Sequence, residues 1–251
     1  ELDVTLTSVT EQWAVATLSG PKAAQILQDA RIDIDLSPAS FPFMSMQDAH
    51  IGGLPVRIFR ISFTGELSYE INVAARHGLA LWRLLMKHGA AHGLTPYGTE
   101  AMHVLRAEKG FIIVGQETDG SVTPLDLGMD WIIAKNKPDF IGKRALARKS
   151  MGYEDRKKLV GLLCKDPETV IPEGAHAVLD PTQPPPMDML GQVTSSYFSP
   201  NLGRSIAMGL LKGGQARKGQ TVYFPLLDGR VLEATVTDTV FFDPEGERIN
   251  G

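Results

Sequence analysis

Length, composition and charge exclude several classes of protein. The chain has 251 residues, of which 43% are hydrophobic and 22% are charged, and its formal net charge is −4. This length accommodates two domains of ordinary size. The negative charge argues against a nucleic-acid-binding protein. Since no apolar run of about 18 residues occurs, we also expect no membrane-spanning segment.

The first residues of the chain and its single cysteine bear on whether the chain is a fragment and on its cellular compartment. Residues Glu1 to Val4 contain no initiator methionine and no basic or apolar segment typical of a signal peptide, so we expect a fragment of a longer polypeptide. Cys164 ends the apolar run that begins at Leu159, which predicts a buried, inert thiol and excludes an internal disulfide. This cysteine usage fits a reducing compartment, and we expect a cytoplasmic location.

The first part of the chain mixes predicted strands with predicted helices. Alternating apolar residues predict strands at 2–8, 13–18, 56–63 and 69–73. Helical spacing and helix-ending residues predict helices beginning near Pro21, from His77 to His92, from Glu100 to Lys109, and a short one within Thr123–Trp131. This mixture is typical of an α+β domain.

The second part of the chain reads as all-β. Short apolar runs, broken by Pro and Gly, predict strands at 159–164, 175–179, 191–194, 205–211, 221–224 and 231–242. Regular short strands of this kind predict a small barrel or sandwich. We therefore predict an α+β domain over residues 1–152, truncated at its N-terminus, and a C-terminal β-barrel domain over residues 153–251.

A basic stretch lies at this predicted boundary. Between Lys135 and Lys158 there are nine basic residues and three acidic ones. We interpret the stretch as a solvated helix face and linker. The alternative is a landing surface for a polyanionic tail or an acidic partner.

The first candidate site is a carboxylate on a glycine turn. Glu66 follows Thr64-Gly65, and glycine permits a tight turn while removing the Cβ that would obstruct a ligand. A carboxylate held there could accept two parallel N–H bonds, such as those of the ring amide and exocyclic amine of a pterin. The alternative is an exposed hairpin glutamate, which the local sequence by itself favours. The flanking aromatics Phe63 and Tyr69 could stack on a planar ring or could belong to the core.

The second candidate is Arg106, near the end of a predicted helix. Its guanidinium could bind a ligand carboxylate in bidentate fashion, or it could form a structural ion pair with a nearby acid. His88 and His92 have the one-turn spacing of metal ligands, but no third ligand accompanies them. We therefore predict no metal site and a solvated helix end there. No residue is assigned a catalytic role.

Several segments, taken together and in order, resemble the folate-binding aminomethyltransferases. This family comprises the T-protein of the glycine cleavage system and its relatives fused into sarcosine oxidases and dimethylglycine dehydrogenases. The segments that carry the resemblance are Ser19–Ala23, Phe63–Glu66 with Tyr69–Ile71, Leu105–Gly110, Gly115–Glu117 with Thr123–Leu125, Asp139–Lys143 and Thr194–Gly203. The Glu108-Lys109-Gly110 ending and Asp166-Pro167-Glu168 most closely resemble the alpha subunit of heterotetrameric sarcosine oxidase.

The resemblance implies a function and a set of site residues. Tetrahydrofolate would be the cofactor, a small amine-derived compound the one-carbon donor, and other sarcosine oxidase subunits the partners. Glu66 matches the glutamate that bonds the pterin, Phe63 stands where the T-protein usually has tyrosine, and Arg106 matches an arginine near bound folate. About a third of the family's module would precede this chain, including the acid that assists transfer, so the isolated fragment is expected to be inactive.

Two departures from the family pattern leave a second interpretation open. Met102-His103 replaces an Arg-Asp pair, and Arg204 replaces a residue that is commonly neutral. The chain could therefore be a non-catalytic folate-binding or subunit-assembly module of the same fold. A third interpretation is an interaction protein that binds no folate at all.

Overall fold

The computed structural model describes residues 2–251, which form two compact units. One unit extends to Met102 and also includes residues 245–251, and the other covers His103–Pro244. The predicted boundary at 152/153 stays a prediction.

Strands account for much of both units. In chain order, the described strands are β1 (Trp13–Ser19), β2 (Ser45–Ile51), β3 (Leu54–Arg60), β4 (Ser68–Ala74), β5 (Lys157–Cys164), β6 (His176–Val178), β7 (Met189–Ser199), β8 (Arg204–Lys212), β9 (Thr221–Pro225) and β10 (Val231–Thr237).

Helices are concentrated in the first half of the chain. The α-helices are α1 (Ala23–Asp29), α2 (Gly78–Gly89), α3 (Thr99–Glu108), α4 (Lys143–Leu146) and α5 (Glu247–Asn250). Short 3-10 helices lie at Thr10–Gln12, Ala75–His77, Ala90–His92, Asp130–Ile132, Lys149–Gly152 and Gly214–Arg217. Within the described residues, no helix has both the length and the apolar character needed to cross a bilayer.

The first unit is built on a four-stranded antiparallel sheet. The strand order is β1-β4-β3-β2, so β1 lies at an edge of the sheet. Apolar residues of the sheet and of helices α1 and α2 form one core, including Leu27, Ile51, Ile58, Ile71 and Leu81. This core fixes the register of β3 against β4, because a slip of one residue would expose Ile58 and Ile71.

The second unit contains a closed six-stranded barrel. Its strand order is β10-β5-β8-β7-β6-β9. Val160 and Leu162 of β5 belong to the barrel interior, whereas Leu159 packs with Ala107 of α3 in a separate cluster. Because β5 is covered on both faces from Leu159 onward, its sequence from Leu159 to Cys164 has no polar residue and does not alternate. The predicted α+β segment followed by a small β-barrel is confirmed.

Three predicted elements differ most clearly from the structure. Residues 2–8 form no strand and are exposed. An alternating sequence forms a strand only where a neighbouring strand supplies backbone hydrogen-bond partners. Thr123–Gly128 forms consecutive turns in place of a helix, because Gly128 adopts φ +71°, a left-handed conformation that ends a helical segment after one turn. Strand β10 ends at Thr237, well before Phe242.

Candidate functional site

The candidate site in the first unit is the Glu66 turn, residues 61–67 between β3 and β4. Gly65 has φ +82°, a conformation that side chains rarely adopt, and its N–H donates to Ser62 Oγ at 3.0 Å. Thr64 and Leu67 are each 5% exposed, so the turn is anchored on both sides of Gly65. The sequence thus folds into a rigid connection that presents the residue after the glycine.

Glu66 is neither a fully exposed hairpin residue nor a core residue. Its side chain is 17% exposed, and its Oε1 accepts a hydrogen bond from Arg248 Nη1 at 2.6 Å. Arg248 lies in α5 of the same unit, 182 residues further along the chain. The carboxylate is therefore held in place by a charged partner that the sequence did not point to.

The two aromatic candidates occupy different environments. Phe63 is 36% exposed, so its ring is available for contact at the Glu66 turn. Tyr69 is 1% exposed and stacks on Phe41, with a ring-centroid distance of 6.1 Å and an interplanar angle of 20°. Burial raises the pKa of the Tyr69 hydroxyl, and the opposing effect of nearby Arg60 is smaller. The structure therefore places Tyr69 in the core of the first unit.

Arg106 belongs to the second unit and is completely buried. Its Nη1 lies 3.1 Å from Glu117 Oε2, and both side chains are 0% exposed. The same Nη1 donates to the carbonyl of Phe111 at 3.0 Å. This is the structural ion pair that the sequence left open as one of two interpretations for Arg106.

Side chains of β7 complete the surroundings of Arg106. Its Nη2 donates to Ser195 Oγ at 2.6 Å and to the Tyr197 hydroxyl at 3.2 Å. Ser195 Oγ in turn donates to Glu117 Oε1 at 2.5 Å. The guanidinium lies over the Tyr197 ring, 5.6 Å from its centroid. Buried charges are stable only with such paired and bonded neighbours, and the network joins α3 to the barrel within this unit.

A second buried acid makes a similar connection. Glu108 is 1% exposed, and its two oxygens accept hydrogen bonds from Ser199 Oγ at 2.6 Å and Asn201 Nδ2 at 2.8 Å. Lys109 is also buried and pairs with Asp243 at 3.0 Å. The Arg-x-Glu-Lys sequence at the end of α3 and just beyond it therefore serves internal contacts of the second unit in this structure.

The remaining predicted features have clear positions. Cys164 is buried, as predicted, and burial raises the pKa of its thiol. His92 is not simply solvated, because its Nε2 lies 2.6 Å from Asp29 Oδ2 and its side chain is 14% exposed. No group of side chains in the described residues could hold a metal ion. Most of the basic stretch is exposed, but Arg156 is used internally, pairing with Asp126 at 2.5 Å.

A cleft lies on the first unit beside the edge strand β1. It has a volume of about 290 Å³ and is lined by β1, α2 and the segment that leads into α3. The apolar side chains Val15, Trp82 and Tyr97 around it are 55%, 48% and 43% exposed. The sequence thus leaves an apolar surface open on this side of the sheet.

Comparison with known families agrees with the fold. Residues 1–137 match the GCVT N-terminal domain, and residues 157–243 match the glycine cleavage T-protein C-terminal barrel domain. Because these matches cover most of the sequence, the chain belongs to the glycine cleavage T-protein family.

Two curated relatives place the chain within that family. It is 48% identical to sarcosine oxidase subunit alpha of Corynebacterium sp. (strain P-1), over 100% of this chain and 26% of the relative. It is 40% identical to sarcosine oxidase subunit alpha of Rhizobium meliloti (strain 1021), over 100% of this chain and 25% of the relative. The chain therefore spans about a quarter of the length of these relatives.

A solved structure supports the same fold. The glycine cleavage system aminomethyltransferase T from Bartonella henselae superimposes with a TM-score of 0.76 at 25% identity. The match covers 92% of this chain and 60% of that structure. The family and fold predicted by the ordered sequence motifs are thus confirmed.

Proposed function

We propose that this chain is the tetrahydrofolate-binding, one-carbon (methylene) transfer module of a sarcosine oxidase-type enzyme. In this role it captures the one-carbon unit released from oxidised sarcosine. The observation that carries the proposal is the Glu66 carboxylate, held on a glycine turn beside the partly exposed ring of Phe63. Membership of the glycine cleavage T-protein family supports it.

The Glu66 turn offers what a pterin edge requires. A carboxylate has two oxygens with about four acceptor positions, so Glu66 can receive two parallel N–H donors while it also contacts Arg248. Phe63 supplies an aromatic surface for the flat ring. Tyr69 and Arg106, being buried, act as supporting residues, one in the core of the first unit and the other in the network of the second.

The chain's own contribution to the transfer is binding and orientation. Holding tetrahydrofolate in one pose brings its nucleophilic nitrogen to the one-carbon donor, which is a proximity effect. Glu66 is committed to hydrogen bonding, so a different group manages the proton. The oxidation of sarcosine takes place on a flavin in another subunit, and that subunit is a partner of this chain.

A second candidate function is a non-catalytic folate-binding or subunit-assembly module. Met102-His103 favours it, because these residues replace the Arg-Asp pair of the T-protein. The exposed apolar side chains around the β1 cleft also suit an assembly surface.

A binding experiment tests the proposal. Tetrahydrofolate is titrated calorimetrically, without oxygen, into the complete polypeptide and into its Glu66→Ala variant. Loss of charge-assisted bonds worth about 1.5–3 kcal/mol each should weaken binding at least tenfold. Glu11→Ala, which removes an exposed acid of the same unit, is the matched control and should bind like wild type. Equal affinity in wild type and Glu66→Ala would refute the assigned site.

A further inference from the structure

The 245–251 segment, which includes α5, packs against the Glu66 turn within the first unit. Arg248 Nη1 lies 2.6 Å from Glu66 Oε1, and the two side chains are 49% and 17% exposed. The distance is that of a strong, charge-assisted hydrogen bond. A residue far along the chain therefore contacts the carboxylate that is proposed to bind the edge of the pterin.

Other contacts fix the segment that carries Arg248. Arg60 is 2% exposed, and its Nη2 donates to the carbonyl of Asn250 at 2.7 Å while its Nη1 donates to the carbonyl of Phe41 at 2.8 Å. Gly251 lies against Leu67 of the Glu66 turn, since a Cβ built on this glycine would be 3.1 Å from Leu67 Cδ2. Arg248 thus lies on an ordered segment, which reduces the entropy lost when its side chain is fixed against the Glu66 carboxylate.

Arg248 can orient the Glu66 carboxylate and still leave acceptor positions on it for a ligand. Arg248 takes one acceptor position on Oε1, and a carboxylate has about four such positions in all. A glutamate side chain at a surface turn otherwise samples several rotamers. All but one of them are lost when a ligand binds, at a cost in conformational entropy. A guanidinium that already fixes the carboxylate removes part of that cost in advance.

We propose that Arg248 is a positioning residue that orients the Glu66 carboxylate for the pterin. This inference rests on the proposed function, because it concerns the same site. It adds Arg248 to the site that the sequence had located at residues 63–69 and at Arg106. Arg248 acts through Glu66 and is assigned no contact with the ligand.

Four proteins test the inference: the variants Arg248→Met, Arg248→Lys and Glu66→Gln, and the double variant Arg248→Met/Glu66→Gln. Tetrahydrofolate affinity is measured for each in the complete polypeptide, beside wild type, and thermal unfolding reports whether each variant folds. We expect Arg248→Met to weaken binding about tenfold and Arg248→Lys to recover part of the loss. In the Glu66→Gln background, Arg248→Met should cause no further loss, since the two residues act as one unit.

The outcomes separate this inference from the proposed function. If Glu66→Gln weakens binding while Arg248→Met does not, the site stands and the positioning role is wrong. If Arg248→Met weakens binding equally in both backgrounds, Arg248 acts independently of Glu66 and the inference fails. Tighter binding in Arg248→Met would overturn it as well, because Arg248 would then compete with the ligand. If Glu66→Gln binds like wild type, the proposed function itself fails.

Discussion

Arg106 and Glu117 form an ion pair from which solvent is excluded, with 3.1 Å between Nη1 and Oε2. The pair joins α3 to the loop that precedes the barrel, and Ser195 of β7 bonds to both members. Both charges are therefore removed from water and depend on each other. In a buried pair, loss of one partner costs far more than the pair contributes when intact.

We predict that Arg106→Met lowers the free energy of unfolding by about 3–5 kcal/mol, because it leaves the Glu117 carboxylate buried without its cation. Urea unfolding followed by circular dichroism measures the change. The double variant Arg106→Met/Glu117→Gln should lose clearly less than the sum of the two single variants. A stability within about 0.5 kcal/mol of wild type for Arg106→Met would contradict the structural role of this pair.

The Asp126–Arg156 pair predicts a pH-dependent contribution to stability. Burial raises the pKa of the Asp126 carboxyl, but hydrogen bonds from Arg156 and Thr123 outweigh burial and leave this pKa below its ordinary value of 3.8. A carboxyl with a lowered pKa stabilises the folded state above its unfolded pKa, and the effect is lost as pH falls through the folded value. Wild type should therefore exceed Asp126→Asn in unfolding free energy at pH 7.

The difference between wild type and Asp126→Asn should shrink below about pH 4, where the unfolded carboxyl begins to bind its proton. Thermal unfolding of both proteins between pH 3 and pH 7 checks this. Glu11→Gln, at an exposed position, serves as the control and should parallel wild type throughout. A constant difference across the whole range would show that the Asp126–Arg156 pair contributes nothing to the pH dependence of the unfolding free energy.

The Cys164 thiol should be unreactive toward thiol reagents in the folded protein. It is 3% exposed, and burial raises the pKa of its thiol, so the reactive thiolate is scarce and inaccessible. We predict that Ellman's reagent labels it at least about a hundredfold more slowly in buffer than in urea. Labelling at similar rates in both conditions would place this strand end in solvent.

Gly161 should be required for barrel closure. A Cβ at this position would lie 2.0 Å from the backbone oxygen of Asp238, which cannot move without displacing the end of β10. We expect Gly161→Ala to lower the free energy of unfolding by about 1–3 kcal/mol, a cost typical of overpacking. Gly120→Ala, where nothing lies within 4 Å of the added Cβ, is the matched control. Equal stability of the two variants would contradict the close approach of β5 to this segment.

The sequence predicted those parts of the fold that depend on local patterns. Strands β3 and β4, helices α2 and α3, and the barrel strands β5 and β8 follow from apolar periodicity and from glycine and proline at their ends. Residues 2–8 show why the same pattern fails, because alternation does not specify a partner strand. The predicted helix at 123–131 stops as turns because Gly128 adopts φ +71°, a left-handed conformation that does not continue a helix.

Only part of the candidate site could be predicted from the sequence. A glycine before an acid identified the Glu66 turn, since the requirement for φ +82° is local. No local pattern links Glu66 to Arg248 or Arg106 to Ser195, because these pairs are 182 and 89 residues apart. The burial of Tyr69 likewise depends on Phe41, which contacts it only in the folded sheet.

Recognition of the pterin amine by Glu66 is tested most directly by comparing two ligands on two proteins. Tetrahydrofolate and an analogue lacking the 2-amino group are titrated into wild type and Glu66→Ala. If Glu66 accepts the N–H of that amine, wild type should prefer tetrahydrofolate by about tenfold or more, and Glu66→Ala should lose the preference. The same preference in both proteins would contradict the account, since the amine would then be recognised elsewhere.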